Sequence, residues 1–457
     1  MILDDYLKTC TTIYHTTLNP KGPGVVRVHL IPPKKLKAGM PWVAILNGYY
    51  ILPFQTSWAI LLKCFIERVN SSNQNPYENM DELIENTIES AHKVFNKTEK
   101  SVLKKDLKDI ISVLTDIAKG KTVNEKIGFT TIAKYSKFMS APHRMDLMIS
   151  SMNKNNEWSC NQKCMHCYAA GEKMSNVKEL STEEWIKIID KCRDSNIPQL
   201  TFTGGEPTLR DDLVELIHHS RWFVTRLNTN GILLSKDLCK KLYNADLDSV
   251  QITLYSSDEK THNLLVGGDH FKDTIEGIKN AIEAKLDVSV NTPLCSLNKD
   301  YVKTIDYLNN LGVKYFTCSG IIESGNAIDS DSSSSRLTKE ELSLIVKKAY
   351  NYTKENGCEI SFTSPGLLDE DLLNKMNMTV PSCGACMSNM AIAPNGDVIP
   401  CQSWLFEDSL GNMLKDEWKK IWNSKKCKKQ RRFSVKHGNA CPLKGVRLSW
   451  KRFWYLY

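Results

Sequence analysis

Hydrophobic and polar positions fall into three regimes along this chain of 457 residues. From Val25 to Lys121, Val26, Val28 and Leu30 first alternate with polar neighbours, as on a half-buried strand. The runs Trp42–Leu46 and Tyr49–Leu52 then flank Asn47-Gly48, a pair that tolerates positive φ and so favours a tight hairpin. Apolar residues next recur at helical spacing over Thr56–Arg68, Asp81–Val94 and Ser101–Ala118. Strands followed by three helices predict a small winged-helix-like module over residues 25–121, preceded by an extension over 1–24. Nothing in this module has catalytic spacing, so its expected work is binding or packing.

Tyr135, Ser136, Ser140 and Pro142 break the periodicity and predict a linker over 122–145. Strand and helix patterns then alternate over 146–357. Strand-like runs lie at Leu147–Ser150, Gln199–Thr203, Phe223–Leu227, Ser249–Leu254, Val288–Asn291 and Lys314–Cys318. Ser181 with Glu184 forms a capping box that opens one helix, and Asp269–Ala284 and Lys299–Leu311 are amphipathic. About six such units imply an α/β fold with a parallel sheet, curled or closed, and its chemistry at the carboxyl ends of the strands. Asp329–Ser335 reads as a flexible loop and 358–381 as a connecting segment. A third block over 382–457 holds a cysteine cluster, a strand–turn–strand pattern from Met390 to Cys401, and a basic helix.

Composition narrows the classes. Hydrophobic content of 41% and charged content of 25% are those of a soluble globular protein, and the length calls for two or three domains. No apolar run has the length of a membrane span; the longest, Trp58–Ile66, is broken by Lys63. The start M-I-L-D-D-Y-L-K lacks the basic and apolar regions of a secretory signal, so the expected location is cytoplasmic. In that reducing setting the 15 cysteines favour metal binding or catalysis over disulfides. Cys64, Cys192, Cys239, Cys295, Cys318 and Cys358 stand alone inside helices or strands and read as small core residues. Much of the net charge of +8 lies in Lys425–Arg432, which reads as a solvated helix face. No recognition-helix or aromatic-studded pattern points to nucleic acid, whereas an acidic peptide would suit the charge.

The chemistry concentrates at Trp158–Tyr168, where Cys160, Cys164 and Cys167 form C-x-x-x-C-x-x-C. Three thiolates with no nearby fourth leave one metal position open, since structural zinc and ordinary iron–sulfur clusters take four protein ligands. A zinc site with a remote fourth ligand fits the same triplet. Thr203–Pro207 reads T-G-G-E-P at the end of the second strand; its glycines admit close backbone approach and its carboxylate can accept from an amine. Asn228–Gly231 (N-T-N-G) closes the third strand, and Gln251 and Thr253 project to one side of the fourth.

These motifs, with Tyr168 after the triplet and V-Q-I-T-L-Y…H on strand four, resemble the radical S-adenosylmethionine enzymes over about 146–325. The resemblance implies a partial (β/α)6 TIM-like barrel, with a 4Fe–4S cluster on Cys160, Cys164 and Cys167 and S-adenosylmethionine on its open iron. It further implies that Glu206, with Gly204 and Gly205, contacts the methionine amine, and that Tyr168 lies near the adenine. Asn228, Thr253 and Asn291 are candidates for the ribose and carboxylate. The implied reaction is reductive cleavage to methionine and a 5′-deoxyadenosyl radical, with a reductase, flavodoxin or ferredoxin as electron donor.

The third block resembles the SPASM auxiliary-cluster domain. Nine residues separate Cys386 from Gly396 and four more precede Cys401; L-G-N-M and E-W-K-K-I-W-N-S follow. This implies one auxiliary cluster on Cys383, Cys386, Cys401 and a fourth ligand, for which Cys441 is a candidate; a zinc ribbon is the other reading. Arg447 and Trp450 stand where further cysteines would be expected, so the domain reads as incomplete, through truncation, a shifted frame or divergence. The order of elements over 25–121, with D-E-L-I-E…V-L-K-K-D-L-K-D-I-I, resembles PqqD-like elements that bind a leader peptide by strand addition. Together these resemblances imply a maturase that forms a thioether or carbon cross-link in a ribosomal precursor peptide. The alternatives are a radical oxidase of sulfatase-maturing or haem-pathway type, and a catalytically silent iron–sulfur or zinc scaffold. No nucleic-acid or membrane partner is expected.

Overall fold

The computed structural model describes residues 3–19, 24–72, 79–119, 135–154, 157–328, 335–406 and 408–443. Most of the expected linker, nearly all of the Asp329–Ser335 loop, and the positions Arg447 and Trp450 lie outside these residues. The chain forms two compact units: Met1–Ala141 with Cys192–Pro198, and Pro142–Lys191 with Gln199–Tyr457.

The first unit is built on a four-stranded antiparallel sheet, β1 (Tyr14–Leu18), β2 (Val26–Ile31), β3 (Trp42–Leu46) and β4 (Tyr50–Phe54), in sequence order. Asn47 and Gly48 take positive φ of 51° and 69° in the β3–β4 turn. The Asn47 side chain also fastens β2, accepting from Arg27 N–H at 2.7 Å and donating to Val25 O at 3.0 Å. Helices Thr56–Ser72, Met80–His92 and Lys100–Ala118 follow. Leu62, Leu107 and Ile110 from them share a core with Trp42 and Val28 of the sheet. The stretch expected as an extension supplies helix Leu3–Lys8 and strand β1. Its strand was illegible because only Thr16, the central residue of Tyr-His-Thr-Thr-Leu, is buried, leaving no apolar alternation to read.

In the second unit, β5 (Arg144–Ser150), β8 (Gln199–Gly204), β9 (Val224–Thr229), β10 (Ser249–Thr253), β11 (Asp287–Pro293), β12 (Tyr315–Ser319) and β13 (Glu359–Phe362) line up in chain order, all parallel. A two-stranded ribbon, β6 (Asn153–Lys154) and β7 (Glu157–Trp158), sits between β5 and β8 in sequence. Helices such as Thr182–Asp194, Phe271–Glu283 and Tyr301–Asn310 make the crossovers. Ser181 opens the first of them through the reciprocal bonds of a capping box with Glu184, at 2.9 and 3.3 Å. Along β10–β12 one face is apolar and buried (Val250, Ile252, Val288, Val290, Phe316, Cys318), while Gln251, Thr253, Asn291 and Thr317 occupy the other. This is the α/β parallel architecture expected, with the chemistry-bearing side chains on the polar face.

Two features differ from the sequence reading. β13 arises inside the expected connector 358–381 and adds a seventh parallel strand. The hairpin of β14 (Asn389–Ile392) and β15 (Val398–Ile399) joins the large sheet, with β14 running parallel to β5. The segment carrying the second cysteine cluster is thereby continuous with the sheet that carries the first.

Candidate active site

The loop that follows β7 carries the cysteine triplet, and its backbone is tied down from two directions. Lys163 N–H donates to Val266 O at 3.0 Å and Met165 N–H to Leu265 O at 2.9 Å, both at the end of helix Glu259–Val266. From the loop after β12, Asn326 N–H donates to Cys167 O at 2.9 Å and its side-chain amide to Cys164 O at 3.1 Å. Glu172 holds that second loop, accepting from Ser324 Oγ at 3.0 Å and Gly325 N–H at 2.9 Å. Gly325 sits at φ 57°, and a Cβ there would lie 2.2 Å from Cys167 O. Glu172, Gly325 and Asn326 were missed in the sequence because they carry no ligand spacing; their task is backbone contact across more than 150 residues.

Cys160, Cys164 and Cys167 are half-buried at the mouth of the parallel sheet. Burial pushes all three thiols up, Cys160 to about 12, and each of Cys167 and Cys160 adds to the shift of Cys164. Such thiols stay protonated until a metal displaces the proton. Tyr168 packs with Met148, Met152 and Met174 beside Ala391, Ala393 and Leu405, and burial raises its phenol strongly.

The T-G-G-E-P turn is fixed by contacts within the chain. Gly204 has φ 141°, and a Cβ there would lie 2.4 Å from Ser150 O; at Gly205 the nearest atom would be Ser151 O, at 2.7 Å. Glycine is therefore demanded by the chain's own backbone at the end of β5. The Glu206 carboxylate is buried and already has four protein donors. Thr208 N–H (3.0 Å), Thr208 Oγ1 (2.5 Å) and Thr229 Oγ1 (2.6 Å) donate to Oε1, and Asn230 N–H (2.8 Å) to Oε2. Oε1 takes three of these donors and Oε2 only one, so Oε2 keeps a lone pair for a further donor. Glu206 thus ties the turn after β8 to the end of β9. Burial raises its pKa, against the opposing pull of those hydrogen bonds.

Asn228, Thr253 and Asn291 come together on the polar face. In register, Asn228 faces Gln251, Thr253 faces Asn291, and Asn291 faces Thr317. Gln251 Nε2 donates to Thr317 Oγ1 at 3.2 Å, which donates to Asn291 Oδ1 at 2.9 Å. Asn228 Oδ1 is buried without a hydrogen-bond partner, an expensive arrangement unless a ligand satisfies it.

The second cysteine group also assembles. Cys401 has Cys383 and Cys441 as electrostatic neighbours, and Cys386 has Cys427 and Cys401. Cys427 was not among the candidates. It lies in the basic run read as a solvated face, yet Cys427, Gln430 and Ser434 form the buried side of helix Lys425–Lys436. The neighbouring Cys386 thiol, then the Arg431 guanidinium, hold Cys427 down to about 7. The helical periodicity of those three positions was the available signal.

The donor sets fit thiolate-bound clusters and a polar cofactor: two groups of neighbouring thiols, half-buried or buried, and an orphaned amide oxygen on the polar face. Among the described residues no three His, Cys, Asp or Glu side chains close on a single-ion site. A four-iron cluster, larger than one ion, does not require that convergence. No helix among the described residues is long and apolar enough to cross a membrane.

Comparison with known proteins agrees. Residues 159–308 match the radical SAM superfamily and 383–442 match SPASM, an iron–sulfur cluster-binding domain. A probable GTP 3′,8-cyclase of Saccharolobus islandicus (strain Y.N.15.51 / Yellowstone #2) is 38% identical over 159 residues, 34% of this chain and 51% of the relative. That of Saccharolobus solfataricus is 38% identical over 160 residues, with the same shares. The chain spans about half the length of these curated relatives. In fold it is similar to Streptococcus suis SuiB bound to S-adenosylmethionine (TM-score 0.58, 16% identity, 87% of this chain and 88% of that one). SuiB bound to its precursor peptide SuiA aligns with TM-score 0.58 at 15% identity over the same shares. Native anSMEcpe with bound AdoMet aligns with TM-score 0.52 at 17% identity, over 64% of this chain and 84% of that one. The chain therefore carries a radical SAM domain over 159–308 and an iron–sulfur cluster-binding SPASM domain over 383–442, and these domains imply 4Fe–4S clusters and S-adenosylmethionine as cofactors.

Proposed function

We propose that this protein is a peptide maturase that forms a thioether or carbon cross-link in a ribosomally made precursor. When bound, the cluster and S-adenosylmethionine supply reductive cleavage and hydrogen abstraction. Cys160, Cys164 and Cys167 hold the cluster, and the clasp of Glu172, Gly325 and Asn326 sets the loop that presents them. Glu206 fixes the turn after β8, while Asn228, Thr253 and Asn291 offer polar atoms to the sugar and carboxylate. The electron comes from a flavodoxin, ferredoxin or dedicated reductase.

The observation that carries the peptide assignment is the terminal position of β4 in the sheet of the first unit. β4 ends that sheet with no strand beyond it among the described residues. Behind it the core keeps a small apolar void lined by Phe54, Trp58, Leu62, Ile110, Val113 and Leu114, with Leu46 of β3. An extended peptide can add to such an edge through its backbone. The precursor structure of SuiB supports the reading, because SuiB shares the fold over most of the chain.

The test is anaerobic turnover of a short cysteine-rich peptide encoded beside this gene. Mass spectrometry should find a product lighter by two hydrogens for each cross-link, formed only with S-adenosylmethionine and reductant. Loss of 5′-deoxyadenosine coupling to every such peptide, with turnover of a sulfatase-derived peptide instead, would sink the assignment.

A further inference from the structure

Helix Lys425–Lys436 presents Cys427, Arg431 and Ser434, spaced four and three residues apart, to one short loop, Cys383–Cys386. Cys386 is an electrostatic neighbour of Cys427. Arg431 donates from Nε to Cys386 O at 3.0 Å and from Nη2 to Cys427 Sγ at 3.2 Å. Its guanidinium is anchored in turn by Trp422 O at 2.6 Å and by stacking 3.4 Å over the Trp422 ring. Ser434 Oγ donates to Ala385 O at 2.8 Å and contacts Cys383 Sγ at 3.7 Å. Cys386 occupies the left-handed region at φ 55°, and its N–H donates to Pro400 O at 3.2 Å, next to Cys401. A strained non-glycine backbone held by this many contacts marks a position whose side chain is being aimed.

A core cysteine sits among apolar groups. Cys427 is fully buried against a second thiol and a guanidinium, surroundings that suit a thiolate. We propose that Cys427 is the fourth thiolate of the auxiliary 4Fe–4S cluster, joining Cys383, Cys386 and Cys401, with Arg431 as its fixed counter-charge. This rests on the reading that residues 383–442 hold a cluster. Each thiol releases its proton to solvent as it binds iron. The half-exposed Cys441 neighbours Cys401 and is not needed to complete the set.

The experiment uses the full chain with Cys160→Ala, Cys164→Ala and Cys167→Ala, so that only the auxiliary site loads. After anaerobic reconstitution with ferrous iron and sulfide, iron and acid-labile sulfide per chain are measured, with the EPR spectrum of the dithionite-reduced protein. The parent is expected to hold about four irons. Adding Cys427→Ser should remove most of the iron or leave a three-iron signal, and adding Cys441→Ser should change neither readout. Cys427→Asp keeps an anionic donor and should recover iron with an altered EPR spectrum, which a merely structural role would not produce. Full iron with an unaltered spectrum in Cys427→Ser, or no recovery and no spectral change in Cys427→Asp, overturns the proposal. A parent that binds no iron overturns instead the reading beneath it.

Discussion

Glu206 shows what a single buried carboxylate does when its four donors come from two different strand ends. Glu206→Gln turns one acceptor oxygen into a donor amide facing N–H or O–H groups, so it should lower stability by about 2–3 kcal/mol. Urea denaturation of the apo-protein checks this. The cysteine triplet was legible because its spacing is local. The role of Glu206 was not, because Thr229 and Asn230 reach it only once β9 lies beside β8. His262 gives a second residue-scale prediction. It is fully buried, its Nδ1 accepts from Tyr255 N–H at 3.3 Å, and burial lowers its pKa to about 4. The unfolded chain takes up a proton near pH 6.5 that the native state refuses, so stability is full above that pH. It should fall as pH drops from about 6.5 toward 4, by on the order of 2 kcal/mol. Denaturation midpoints at pH 7 and pH 5, compared with His262→Asn, measure the difference; an equal pH response in the variant would contradict it.

At the scale of elements, local signals held and long-range ones did not. The Ser181–Glu184 cap, the Asn47-Gly48 turn and the six strand runs all follow from neighbours within a few residues. β13 escaped because Glu-Ile-Ser-Phe is short and partly exposed, and only pairing with β12 makes it a strand. The basic run at 425–432 was read by its charges, while its buried face is set by Cys427, Gln430 and Ser434. The clasp from the loop after β12 is the element on which the triplet depends most. Gly325→Ala places a methyl group against Cys167 O in a left-handed backbone, and only movement of the triplet loop relieves it. Iron at the core site should fall severalfold, and the apo-protein should lose about 1–3 kcal/mol of stability to the strained backbone. Normal loading would show that the clasp does not position the triplet.

For the whole molecule, the account assigns peptide capture to the first unit and radical chemistry to the second. Trp58 is partly buried behind β4 and packs edge-on against Phe54, with ring centroids 5.8 Å apart. Trp58→Ser should weaken precursor binding at least about tenfold, through the loss of the side chain that backs β4. It should leave uncoupled cleavage of S-adenosylmethionine unchanged. Fluorescence-anisotropy titration with the labelled precursor reads the first effect, and product chromatography reads the second. The antiparallel sheet with three helices and the parallel α/β core were legible from periodicity and motifs. That the third block shares a sheet with the core was not, since the β14–β5 pairing joins residues more than 240 apart. The most direct test of the central claim is anaerobic reconstitution followed by reduction in the presence of S-adenosylmethionine. The wild-type protein should release 5′-deoxyadenosine and methionine, and Cys164→Ala should release neither. A fully metallated wild-type protein that yields no 5′-deoxyadenosine would contradict the account.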